Sequence, residues 1–154
     1  MGAPKMAAYQ YTECGLDNVI IEGISIDTDD EGDECVEIPH IHELHRSIAE
    51  AIINHKKGMS GDELRFLRTE MGMTQAELAK LVHRERLTVS RWERGEGDID
   101  STGEALVRIQ AADMLGITRD ESIQELSERC VPTTQTQPIV IETQENESYR
   151  AKAA

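Results

Sequence analysis

Residues 73–95 read MTQAELAKLVHRERLTVSRWERG, and this stretch decides the fold. It opens with Thr74 and, three residues on, Glu77, the spacing at which a hydroxyl and a carboxylate satisfy the free amides of a new helix reciprocally. Leu78, Ala79 and Val82 then line one helical face. A turn falls near His83 and Arg84, and a second helix over 85–94 carries Val89 and Trp92 three apart on its buried side, with Gly95 at its stop. That spacing makes Trp92 a core residue rather than a base-stacking one. Upstream, Ser60 and Glu63 repeat the capping spacing and open a helix over 62–71 that buries Leu64, Leu67 and Met71. Gly72 ends it where a left-handed residue is wanted. Three short helices, the last two joined by a tight turn, form the arrangement in which one helix crosses a phosphate backbone and the next enters the major groove of DNA.

The charge of the whole chain runs against that reading, and its distribution restores it. The net charge is −14, the wrong sign for binding nucleic acid through a uniformly basic surface. Residues 1–59 hold 4 Lys/Arg against 12 Asp/Glu, residues 60–95 hold 7 against 6, and residues 96–154 hold 5 against 12. Only the central segment is not acidic. The acidic flanks either keep the protein soluble or, in addition, discourage non-specific DNA binding and leave a small cationic face to read sequence.

A chain of 154 residues with one Phe, one Trp and three Tyr supports small cores, which favours two modules. Residues 1–8 are featureless and are expected to be flexible. Tyr9 and Tyr11, then Val19, Ile20 and Ile21 with Ile24 and Ile26, then Cys35 to Ile38, have the composition of short strands, with Gly23 marking a turn or bulge. The acidic run 27–34, which contains Gly32, reads as a solvated loop. A small antiparallel sheet of about three strands is expected. After Pro39, the segment 40–57 places Ile41, Leu44, Ile48 and Ile52 on one helical face, able to cover that sheet. The fold class is therefore α+β: a small α+β domain over 9–58, then an all-α helix-turn-helix domain over 59–116. A helix over 102–115 with Leu106, Ile109 and Met114 closes the second domain near Gly116. A short helix is expected within 117–130. The tail 131–154 reads as mostly disordered, with one apolar island, Ile139-Val140-Ile141, able to pair as a strand.

The run Met73 to Ala79 and the run Val89 to Gly95, at this interval, resemble the Cro/phage-repressor (XRE) helix-turn-helix family over about a quarter of the chain. The resemblance implies a lambda-repressor-like domain that binds a double-stranded DNA operator and needs no cofactor. By position, Gln75 matches a residue that bonds a phosphate and braces the reading helix. Arg86 and Leu87 match base-contacting positions, and Ser90 and Arg91 match the row one turn on. Arg86 and Arg91 have the planar fork that suits guanine O6 and N7, while Leu87 suits a thymine methyl. Thr88 and Arg94 suit phosphates, which position without specifying. Arg84 and Glu85, at the start of the reading helix, complete the DNA-facing set. Arg68 and Glu93 match a structural ion pair between the domain's first helix and its reading helix. The chain departs from the family at His83, where Gly is usual, and at Arg84, where a small apolar residue is usual. His83 must therefore either avoid a positive φ or adopt one at some cost.

Tyr11 to Val19, Leu44 to Ala49 and Gly61 to Arg68 are similar, more loosely, to bacterial regulators that join a small N-terminal domain to an XRE domain, including MqsA-type antitoxins. That type binds zinc through paired cysteines, whereas only Cys14 and Cys35 lie in this region, without a C-x-x-C pair. His40, His42 and His45 do not supply a helical ligand pair, so no metal is expected. His45 is expected beside Arg46 on the helix face. No catalytic constellation stands out, and an enzyme is not expected. Three scattered cysteines and the lack of a signal or membrane-length apolar run suggest a reduced, cytoplasmic protein. The leading expectation is a homodimeric repressor on an inverted-repeat operator. The alternative is an antitoxin that neutralises a basic toxin and autoregulates its operon. A weaker third reading keeps the helix-turn-helix only as a dimerisation scaffold, against which the intact Arg86 and Arg91 argue.

Overall fold

The computed structural model describes residues 5–55, 58–120, 122, 138–144 and 147–152. Strands β1 (Lys5–Gln10), β2 (Val19–Thr28) and β3 (Glu34–Val36) are followed by helix α1 (Ile41–Asn54). Helices α2 (Gly61–Glu70), α3 (Gln75–Leu81), α4 (Arg86–Glu93) and α5 (Ser101–Leu115) come next, and strands β4 (Ile139–Thr143) and β5 (Tyr149–Ala151) close the order. The class is α+β, as the sequence predicts.

The first strand starts earlier than its composition suggests. β1 pairs antiparallel with β2 from Lys5 opposite Ile26 to Gln10 opposite Ile20, so residues 5–8 belong to the sheet rather than to a flexible end. Gly23 makes the anticipated bulge. Ala7 faces Ile24 and Tyr9 faces Ile21, leaving Glu22 and Gly23 together opposite Ala8, with Gly23 at φ +77°. An extra residue reverses the side-chain alternation, which is why the buried positions pass from Val19 and Ile21 to Ile24. β3 pairs antiparallel with the end of β2. Only residues 29–33 remain as the acidic turn, held by the Asp29 carboxylate accepting from the amides of Glu31 and Asp33 at 3.0 and 2.8 Å.

The sheet is mixed rather than antiparallel, and the reason lies in the tail. β4 runs parallel to β2, with Val19 opposite Ile139 and Glu22 opposite Glu142, and β5 returns antiparallel beside it. Parallel neighbours need a long crossover, and among the described residues five helices intervene between these two strands. The apolar island is thus a core strand: Ile139 and Ile141 are buried. Lys152 reaches back to Glu22 at 2.6 Å and Glu142 at 3.3 Å. Residues 117–120 and 122 carry no helix, and the rest of the short helix expected up to 130, together with Cys130, lies outside the described residues.

α1 joins the two modules. Leu44, Ile48 and Ile52 share one buried cluster with Val19 and Ile21 of the sheet and with Leu64, Leu67, Leu78 and Val89 of the helices. Arg108 of α5, fully buried, donates to the carbonyls of Ile52 and, at 3.0 Å, Ile53, in the last turn of α1. Arg108 also lies 3.7 Å from Glu104, which accepts from the amide of Met59 just before α2. Arg46 donates to Gly116 O at 2.8 Å. His45 does not sit free on the helix face beside Arg46. Its Nδ1 is 3.0 Å from Glu70 of α2 and its Nε2 is 2.9 Å from the Tyr11 hydroxyl, so it bridges sheet and helices. Burial pushes the Tyr11 hydroxyl up to about 12.

Candidate nucleic-acid interface

Both capping boxes form. The Ser60 hydroxyl accepts from Glu63 N at 3.1 Å while the Glu63 carboxylate accepts from Ser60 N at 2.9 Å. Thr74 and Glu77 repeat the exchange at 3.1 and 3.4 Å. These caps fix where α2 and α3 begin. Gly61 then lets the start of α2 rest on the end of α4: a Cβ there would fall 2.9 Å from Glu93 O and nearer still to Trp92 O. Burial holds Glu63 above the usual carboxylate range, against the opposing pull of its Ser60 hydrogen bonds and the Arg108 charge.

The three helices of the interface stop in the same way. After α2, Gly72 N and Met73 N bond back to Thr69 O and Arg68 O; after α4, Gly95 N and Glu96 N bond back to Trp92 O and Arg91 O. After α3, His83 N and Arg84 N bond back to Lys80 O and Ala79 O at 3.4 and 2.9 Å. Each is a Schellman stop with a left-handed residue: Gly72 at φ +69°, Gly95 at φ +73° and His83 at φ +57°. Two of the three use glycine. His83 adopts the conformation despite its Cβ, at a cost of about 1 kcal/mol. The turn does not avoid the positive φ.

Behind the turn lies a buried polar network. Glu93, with no exposed side-chain surface, accepts from Arg68 Nε at 2.8 Å and Nη2 at 2.9 Å, and more weakly from Arg65 at 3.4 Å. Arg68 also donates to Met73 O at 3.0 Å, so one guanidinium ties the α2 to α3 connection to α4. Gln75 Nε2 donates to Glu93 at 3.3 Å, and its Oε1 accepts from Arg86 Nη1 at 3.2 Å. The chain Arg68, Glu93, Gln75, Arg86 thus runs from the core to the outer face of α4. Burial disfavours the charged form of Glu93, but the hydrogen bonds from Arg68 and Gln75 and the Arg68 charge outweigh it. Its carboxyl is held below the usual range.

The outer face of α4 presents Arg86, Leu87 and Arg91, all exposed, with Thr88 and Ser90 half-buried between them. Leu87 is 45 % exposed, one of three large apolar side chains left in solvent among the described residues. Val89 and Trp92 are buried on the opposite side. Glu85 occupies the helix N-cap position without a side-chain cap bond, and its carbonyl accepts from Thr88 and Val89. Two cations of the sequence-derived set are turned toward carboxylates of this chain: Arg94 to Glu96 at 3.1 Å, and Arg84 to Asp100 at 3.0 Å. Sequence reasoning gave Asp100 no contact here and gave Gly61 no part in close packing. Asp100 accepts from Gly103 N at 2.6 Å and is the N-cap of α5, a capping residue legible just before the helix expected over 102–115.

Residues 61–122 match the model of a helix-turn-helix domain family. The match spans α2 to α5 and takes in neither α1 nor any strand of the sheet, so the likeness of the N-terminal module to MqsA-type regulators draws nothing from it. No curated protein and no solved structure matches the chain significantly. Among the described residues no helix is long and apolar enough to cross a membrane.

Proposed function

We propose, from a helix-turn-helix domain over α2 to α5, that this protein is a cytoplasmic, non-enzymatic transcriptional regulator of the XRE type that reads operator DNA through α4. The observation that carries the reading is the composition of that helix. Its buried side is Val89 and Trp92, while its free side sets the two guanidinium groups of Arg86 and Arg91 around the exposed Leu87. Guanidinium forks fit guanine edges and an exposed apolar side chain fits a thymine methyl. Arg86 and Gln75 are already hydrogen-bonded to each other, so part of the order needed on DNA is present in the free protein.

One such helix reads only a few base pairs, so the reading includes a homodimer on two half-sites about one helical turn apart, occluding a promoter as a repressor. Footprinting of the DNA upstream of the protein's own gene tests it. Paired, salt-sensitive protections about 10 base pairs apart support the reading, and absence of any protection defeats it. The acidic turn at residues 29–33, exposed at one end of the sheet, favours a second role as an antitoxin toward a basic toxin. Co-purification with the neighbouring gene product tests that role.

A further inference from the structure

The third Schellman stop differs from the other two in more than its residue. The Arg84 guanidinium folds back on its own turn: Nη1 donates to His83 O at 3.1 Å, and Nε and Nη2 lie 3.1 and 3.0 Å from Asp100 Oδ2. The other oxygen of Asp100 caps α5 through Gly103 N, and a Cβ at Gly103 would meet Trp92 of α4 at 3.3 Å. The turn between α3 and α4 is therefore fastened to the one point where α5 starts and α4 packs. Neither glycine-bearing stop, at Gly72 or Gly95, has a side chain bonded to the carbonyl of its left-handed residue among the described contacts.

We propose that Arg84 is a positioning residue and not a phosphate contact. Its guanidinium staples the His83 carbonyl to Asp100, holds a left-handed turn built without glycine, and so sets how α4 is presented. The role in DNA reading rests on the proposed function, whereas the staple itself does not require it. All three nitrogens of the guanidinium are engaged within the turn, and Asp100 already neutralises its charge, so a DNA phosphate would have to compete with that carboxylate.

The test uses the full chain with Arg84→Ala, Asp100→Asn, both together, His83→Gly, and His83→Gly with Arg84→Ala. Asn at 100 keeps the acceptor for Gly103 N and removes both the charge and the oxygen that Arg84 bonds. Thermal unfolding should show Arg84→Ala and Asp100→Asn each lowering Tm by about 2–4 °C, with little further loss in the double variant. His83→Gly should raise Tm and make Arg84→Ala nearly silent, because glycine adopts the turn unaided. Binding to a random-sequence 30-base-pair duplex, titrated in salt, should give the same slope for Arg84→Ala as for the wild type. Loss of a phosphate contact would reduce the slope by about 0.9. A reduced slope with unchanged Tm, or additive Tm losses that His83→Gly does not suppress, overturns the proposal. If the wild type does not bind DNA, the proposed function fails and the Tm arm still decides the staple.

Discussion

Arg68 holds both carboxylate oxygens of Glu93, at 2.8 and 2.9 Å, in a place where Glu93 has no exposed side-chain surface. The pair joins α2 to the last turn of α4. A buried carboxylate without its partner is far costlier than the pair is favourable. Arg68→Ala should therefore lower stability by about 3 kcal/mol in chemical denaturation, while Arg68→Lys, lacking the fork, should recover only part of it. A loss below about 1 kcal/mol would mean that water or Arg65 replaces the lost partner.

Two buried carboxyls should make acid stability depend on pH with opposite signs. Glu93 is held below its ordinary value, so it contributes stability that is present above its unfolded pKa and lost as pH falls through the lower folded value. Glu63 is raised by burial, so it binds a proton more readily when folded and its unfavourable contribution grows as pH rises through its folded value. Glu93→Gln should flatten the loss of stability below about pH 4.5. Glu63→Gln, which keeps the capping acceptor, should leave stability at neutral pH unchanged or higher. Urea midpoints measured from pH 3 to 7 check both signs.

Gly61 is required by proximity rather than by an unusual φ. Any Cβ meets the backbone carbonyls of Trp92 and Glu93, which cannot rotate away as a flexible side chain would. Gly61→Ala should destabilise by about 1–3 kcal/mol despite alanine's better helix propensity. It should also weaken DNA binding beyond what the lost stability explains, because α4 must shift.

The C-terminal hairpin should be integral to the N-terminal sheet. Ile141→Ala removes a fully buried side chain next to Ile21 and should cost about 2–5 kcal/mol. Removing residues 138–154 should make α1 and the sheet sensitive to proteolysis at protease levels that leave the full chain intact. Equal resistance of the truncated and full chains would show that β4 is dispensable.

The helical half was legible because its signals are local. Ser60 with Glu63, Thr74 with Glu77, and the glycines at 72 and 95 each act within one turn, and each is found within a residue or two of its expected place. The sheet was only partly legible. The bulge at Gly23 could be read from one strand, but the pairing of Ile139 and Ile141 with Val19 and Ile21 spans about 120 residues and leaves no local periodicity. His45 was misplaced for the same reason, since its partners Tyr11 and Glu70 come from elements 34 and 25 residues away. In the interface, residue type foretold which cations stand on α4. It could not foretell that Arg84 and Arg94 are turned toward Asp100 and Glu96, because exposed carboxylates carry no signal of direction.

In the proposed function, Arg86 and Arg91 read bases from an α4 held by the core. The most direct measurement is the ratio of affinities for a site selected from random-sequence DNA and for an unrelated duplex, in the wild type and in Arg86→Ala/Arg91→Ala, at one salt concentration. The double variant should keep its fold and thermal midpoint while that ratio falls by about 30-fold or more. An unchanged ratio in a folded variant would contradict it.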